Sequence, residues 1–159
     1  MPLVDEDLKH LTAAEGYFEL GMFLDANAEL EEIDPEVRHV PEVLEVRVQI
    51  YRGLKKWELM QTVAKKLTED DSQESQWPIS WAYATRRSES LEAAKLILLE
   101  AWGVHKKEPM IPFNIACYEC QLGHLERAKE FLGHAFKLSP DMRVMARDDE
   151  DLKALWDSI

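Results

Sequence analysis

Residues 113–140 read FNIACYECQLGHLERAKEFLGHAFKLSP. Apolar residues recur at helical spacing on both sides of Leu122-Gly123, which predicts two short helices joined by a tight turn. Ala116, Ala128 and Ala135 are small enough for two backbones to approach closely. Leu125 and Leu132 fill the gaps between them, and Pro140, unable to continue a helix, closes the unit.

The arrangement returns every 34 residues toward the N-terminus. A column of small or close-packing residues in the first helix reads Ala14, Val48, Ala82, Ala116. The matching column near the start of the second helix reads Ala26, Met60, Ala94, Ala128, and the large apolar column before it reads Phe23, Trp57, Leu91, Leu125. Four turns of the pattern cover roughly residues 7 to 140 without an insertion. A fixed period of this length predicts stacked helical hairpins, because one hairpin cannot bury its own apolar side.

The spacing of small, large and proline positions resembles the tetratricopeptide (TPR) repeat, over most of the chain. The resemblance implies an all-α fold: an α-α superhelix, or TPR solenoid, of four helical hairpins at about 7–40, 41–74, 75–108 and 109–140. Residues 141–159 would be a C-terminal cap, and 1–159 a single TPR-like domain. It further implies a protein-protein interaction scaffold that binds a peptide or protein segment in a concave groove, with no catalysis of its own. Small bacterial TPR proteins are the nearest in kind. Small acidic TPR chaperones of bacterial secretion systems are an alternative, although these usually dimerise through an N-terminal segment that the repeats here scarcely leave room for. Homodimerisation stays open.

The elements follow from local signals. The first helix is expected from about Asp5 to Leu20 with Thr12 inside it, Gly21 permitting the turn. The second runs to about Asp34, where Pro35 stops it. Pro41 opens a helix to about Arg52, and Lys55 stands where the family usually has a turn glycine. A helix from Trp57 to about Glu69 leads into a polar connector, in which Asp71 and Glu74 have capping-box spacing. Trp77 and Trp81 mark the next helix, Ser90 is the expected N-cap after it, and Leu91–Val104 follows. Pro109 and Pro112 open the fourth repeat. Beyond Pro140 come a short helix, an acidic turn at Asp148–Asp151, and an amphipathic end with Leu152, Leu155 and Trp156 on one face.

If the first helices line a groove, their candidate contact residues are Gln49 and Arg52 in the second repeat. In the third they are Ile79, Tyr83, Arg86 and Arg87; in the fourth, Phe113, Asn114 and Cys117. The arginines would concentrate positive charge in an otherwise acidic protein, and guanidinium grips carboxylate with two parallel hydrogen bonds. The expected partner is a protein or peptide segment with an acidic centre and apolar flanks. The alternative is that the arginines pair with neighbouring acids of the chain itself, such as Glu42 or Glu45. The basic-and-asparagine set that captures the acidic tails of heat-shock chaperones is lacking, since the matching places hold Leu11, Glu15, Val46, Gln76 and Ser80.

The chain has 159 residues, 31 Asp and Glu against 19 Lys and Arg, and a formal net charge of −12. That field repels phosphate backbones and anionic bilayers, so neither nucleic acid nor membrane is expected as a partner. No run of roughly 18 apolar residues is present. The acidic start lacks a signal-peptide core and the only cysteines are Cys117 and Cys120, which suggests a reducing, cytoplasmic setting. Their C-x-x-C spacing is that of redox and zinc proteins, so a thiol or redox protein is a further alternative. However, the pair falls in mid-helix and no second ligand pair accompanies it. No metal or cofactor is therefore expected, and the five histidines stand at no spacing that suggests nucleophilic catalysis. The run Glu29, Glu31, Glu32, Asp34, Glu36 lacks a calcium-loop glycine and reads as a solvated helix face.

Overall fold

The computed structural model describes residues 2–159. Among them the chain forms nine α-helices and two 3-10 segments, with no strand. The helices are α1 (Asp5–Glu19), α2 (Phe23–Glu31), α3 (Pro41–Gly53), α4 (Trp57–Asp70), α5 (Gln76–Ser88), α6 (Leu91–Val104), α7 (Met110–Gln121), α8 (Leu125–Leu138) and α9 (Met142–Asp148). A 3-10 turn at Pro35–Val37 follows α2, and a 3-10 segment at Glu150–Ser158 follows α9. The first eight helices pair as the hairpins α1–α2, α3–α4, α5–α6 and α7–α8.

The contacts divide into two compact units, one ending at Asp71 and the other running Ser72–Ile159. In the first, α3 packs on both helices of the preceding hairpin. In the second, α7 packs on α6, on its partner α8 and on the terminal 3-10 segment. The repeat columns explain both cores. Ala14, Val48, Ala82 and Ala116 are fully buried, as are Ala26, Met60, Ala94 and Ala128. Trp77 is also core, at 6% exposure. The large apolar column behaves less uniformly: Phe23, Trp57 and Leu91 are half-buried, but Leu125 is exposed. Phe23 lies against α3 of the next hairpin, so closely that a Cβ on Gly53 would fall 2.6 Å from its ring. Among the described residues, α8 is followed by the short helix α9 and the 3-10 segment instead of another hairpin.

Three of the four hairpin turns share one hydrogen-bond pattern. Met22 N–H donates to the Tyr17 carbonyl at 2.8 Å and Gly21 N–H to Phe18 at 2.9 Å. Lys56 and Lys55 repeat this on Tyr51 and Arg52, and His124 and Gly123 on Glu119 and Cys120. The paired 6→1 and 5→2 bonds require a left-handed residue at the turn. Gly21 (φ +75°) and Gly123 (φ +85°) supply it freely, and Lys55 adopts it at φ +57°. Lys55 thus departs from the family residue without altering the turn. The third turn differs: Glu89 keeps φ −126°, and Ser90 caps α6 by accepting from Ala93 N–H at 3.1 Å.

Some local expectations change. α2 ends at Glu31, before Asp34, and Pro35 opens a 3-10 turn whose first N–H is capped by the Asp34 carboxylate. Ser75, and not Asp71, stands at the N-cap of α5, and Glu74 accepts from Gln76 N–H at 3.1 Å. The acidic run on α2 is not simply a solvated face. Glu31 receives Arg38 and the 8%-exposed Arg47, whose second nitrogen reaches Asn27, while Glu29 binds His10 at 2.8 Å. Arg38 also donates to the Ile33 and Glu31 carbonyls, fastening the end of α2.

Candidate functional site

The expected contact residues fall in two separate places. Gln49 and Arg52 lie on α3 in the first unit, Gln49 half-buried and Arg52 exposed in the last turn. In the second unit α5 carries Ile79, Tyr83, Arg86 and Arg87, while α7 carries Phe113, Asn114 and Cys117. Ile79 packs on the core; Tyr83 and Asn114 are half-buried; Arg87 is exposed. Phe113 and Cys117 are only 1% and 2% exposed. With α6, α8 and the 3-10 segment on three sides, α7 buries a run of nine residues between Ile111 and Cys120, interrupted only at Asn114. Phe113 and Cys117 therefore offer no surface to a partner in this arrangement, contrary to the groove-lining role expected of them.

What covers α7 is the chain's own C-terminus. Leu152 and Leu155 are fully buried, at 0% and 2% exposure. Gln121 donates to the Asp151 carbonyl at 2.9 Å, and the Cys117 thiol lies 3.7 Å from Asp149. The Asp149 carboxylate also accepts from Asp151 N–H at 2.9 Å, capping the segment at its start. Trp156 fastens the far end by donating its indole N–H to the Ala146 and Asp149 carbonyls at 3.0 and 3.2 Å.

Arg86 meets this segment with both of its terminal nitrogens. One lies 2.5 Å and the other 2.9 Å from the two carboxylate oxygens of Asp151. The guanidinium also stands 5.4 Å from the Tyr118 ring, within cation–π range. The Asp151 hydrogen bonds hold Arg86 above its ordinary pKa. Of the two readings open for Arg86, pairing within the chain is the one realised here, although with an acid of the C-terminal segment and not with Glu42 or Glu45.

Burial pushes the Cys117 thiol well above its usual range, and the charges of Asp149 and Asp151 push in the same direction. Cys120 is raised mainly by burial, with a contribution from Asp151. A nucleophilic or redox-active cysteine is favoured by the opposite environment, one that lowers the thiol pKa. Cys117, Asp149 and Asp151 do bring three potential ligand atoms within 4.8 Å of one another. Each is already engaged: Asp151 by Arg86, and Asp149 by a backbone N–H and the thiol.

A second charged group has no motif in the sequence to mark it. Glu119, on α7, is fully buried. Lys95 from α6 and Arg127 from α8 bind its two oxygens at 2.8 and 2.6 Å, and His124 lies 3.1 Å away. Burial alone would raise its pKa, but the hydrogen bonds from Lys95, His124 and Arg127 outweigh it and bring it down to about 2. The available signal was its register: the positions 34, 68 and 102 residues earlier hold Thr85, Tyr51 and Tyr17.

No protein-family model matches the chain, and no curated protein matches it in sequence. Solved structures do match. A structure of MamA MSR-1 is 19% identical, with a TM-score of 0.72, covering 83% of this chain and 76% of that one. Two structures of MamA AMB-1 are 12% and 11% identical, with TM-scores of 0.69 and 0.67. Each covers 96% of this chain, and 81% and 88% of the MamA chain respectively. At such identities the likeness concerns the fold: an all-α, TPR-like helical-repeat solenoid. Among the described residues no helix is long and apolar enough to cross a membrane.

Proposed function

We propose that the protein is a non-catalytic interaction scaffold whose first-helix surfaces hold a polypeptide segment with an acidic centre and apolar flanks. Gln49 and Arg52 on α3 would serve the first unit; Ile79, Tyr83, Arg86, Arg87 and Asn114 would serve the second. The observation that carries the reading is the two-pronged grip of Arg86 on a carboxylate. A planar guanidinium backed by an aromatic ring is a recognition element for carboxylates, whichever chain supplies them. The TPR-like fold supports the same reading, because repeat solenoids present extended surfaces to other polypeptides.

Panning a displayed peptide library against the immobilised protein tests this, with Arg87→Glu in parallel. Selected peptides should be enriched in paired acids beside aliphatic residues, and should lose about tenfold in affinity on the variant, comparable to removing one charge-assisted contact. Selection without acidic enrichment would overturn the proposal.

A further inference from the structure

The C-terminal segment itself has the composition expected of a partner. Its sequence from Asp149 to Trp156 is Asp-Glu-Asp-Leu-Lys-Ala-Leu-Trp: acids first, then two leucines and a tryptophan. It meets Arg86 through an acid and α7 through apolar side chains. Its own backbone is weakly built. Nine residues in 3-10 conformation have poorer hydrogen-bond geometry than an α-helix, and such runs are rarely this long. The Arg86–Asp151 pair that anchors it is not sealed off, the two side chains being 20% and 25% exposed.

From these features we infer that Asp149–Trp156 is an exchangeable occupant of the surface formed by α5 and α7, and that the cognate partner is a polypeptide segment of the same pattern, three acids followed by spaced leucines, which takes its place. The inference rests on the scaffold reading and adds the site's regulation. A tethered segment competes at high local concentration, so an incoming peptide sees only the fraction of molecules whose segment has lifted. Lifting it would also uncover Cys117, Cys120 and the apolar face of α7 for the aliphatic part of the partner. The covered position of Cys117, which lies against Asp149, then describes the occupied state of the site.

The test uses the full chain and a fluorescein-labelled peptide of its own residues 147–159, read by fluorescence anisotropy. Asp151→Asn weakens the resident segment while leaving the surface intact, and the added peptide keeps its own aspartate. Binding to Asp151→Asn should be about tenfold tighter than to wild type, and adding Arg86→Glu to that variant should abolish it. Equal binding to wild type and Asp151→Asn would make the segment a fixed cap and overturn the inference.

Hydrogen exchange on the wild-type protein gives a second reading that needs no variant. Amides of Leu152–Ser158 should exchange about tenfold or more faster than those of Ala116–Cys120, through local opening. Exchange of both groups only with global unfolding would sink the idea. If acidic peptides selected by display bind wild type and Asp151→Asn alike, occupancy by the tail fails and the scaffold reading stands.

Discussion

Glu119 is a fully buried acid joined to three basic side chains from two other helices and a turn. Its partners are unequally exposed, Lys95 at 17% but His124 at 52% and Arg127 at 56%, so solvent weakens part of the attraction. Replacing Glu119 with glutamine keeps the shape and removes the charge, and should cost roughly 2–3 kcal/mol at neutral pH by urea unfolding. The pH dependence has a definite sign. The folded-state pKa lies near 2, below the ordinary 4.5, so the contribution is complete above about 4.5 and is lost as pH falls toward 2. The gap between wild type and Glu119→Gln should therefore narrow on acidification below pH 4.5, and a gap independent of pH would refute the assignment. The pairing could not be read from the sequence, and only the 34-residue register, which aligns Glu119 with Thr85, Tyr51 and Tyr17, set it apart from other acids. Its partners arrive only when α6 and α8 close over it.

At the scale of the element, the hairpin turns were the most legible feature. Gly21 and Gly123 announced their left-handed conformation, and Ser90 its capping role, because each depends on only a few neighbouring residues. Lys55 shows tertiary context overriding residue preference. Packing of α3 against α4 imposes the same turn, and lysine takes a conformation it adopts at a cost of about 1 kcal/mol. Lys55→Gly should relieve that strain and raise stability by about 0.5–1 kcal/mol, less what glycine adds in unfolded-state entropy. A thermal melt would reveal it as a small increase in Tm; a decrease would mean that the lysine side chain makes a contact worth more than the strain. The end of α2 was less legible, since Arg38 caps it through contacts made by folding the chain back.

At the scale of the whole molecule, the two compact units meet in sequence at the polar stretch 69–74, every residue of which is exposed. An accessible connector between packed helices is where a protease cuts first. Limited digestion with a glutamate-specific protease should give its earliest cleavage at Glu69 or Glu74, identified by mass spectrometry of the fragments. Earliest cleavage within 141–159 would instead show that the C-terminal segment opens more readily than the connector.

The 34-residue period, the helix pairs and the fully buried small-residue columns were determined by the sequence alone. Periodicity, capping and turn chemistry act over a few residues, and a repeat states them four times. The partners of the charged residues were decided only by tertiary structure. With 31 acids and 19 Lys and Arg, many pairings satisfy charge equally well on paper. Which one forms depends on where a segment 65 residues away comes to rest, as Asp151 does on Arg86. The same long-range event set Asp149 against Cys117, a residue expected at the surface.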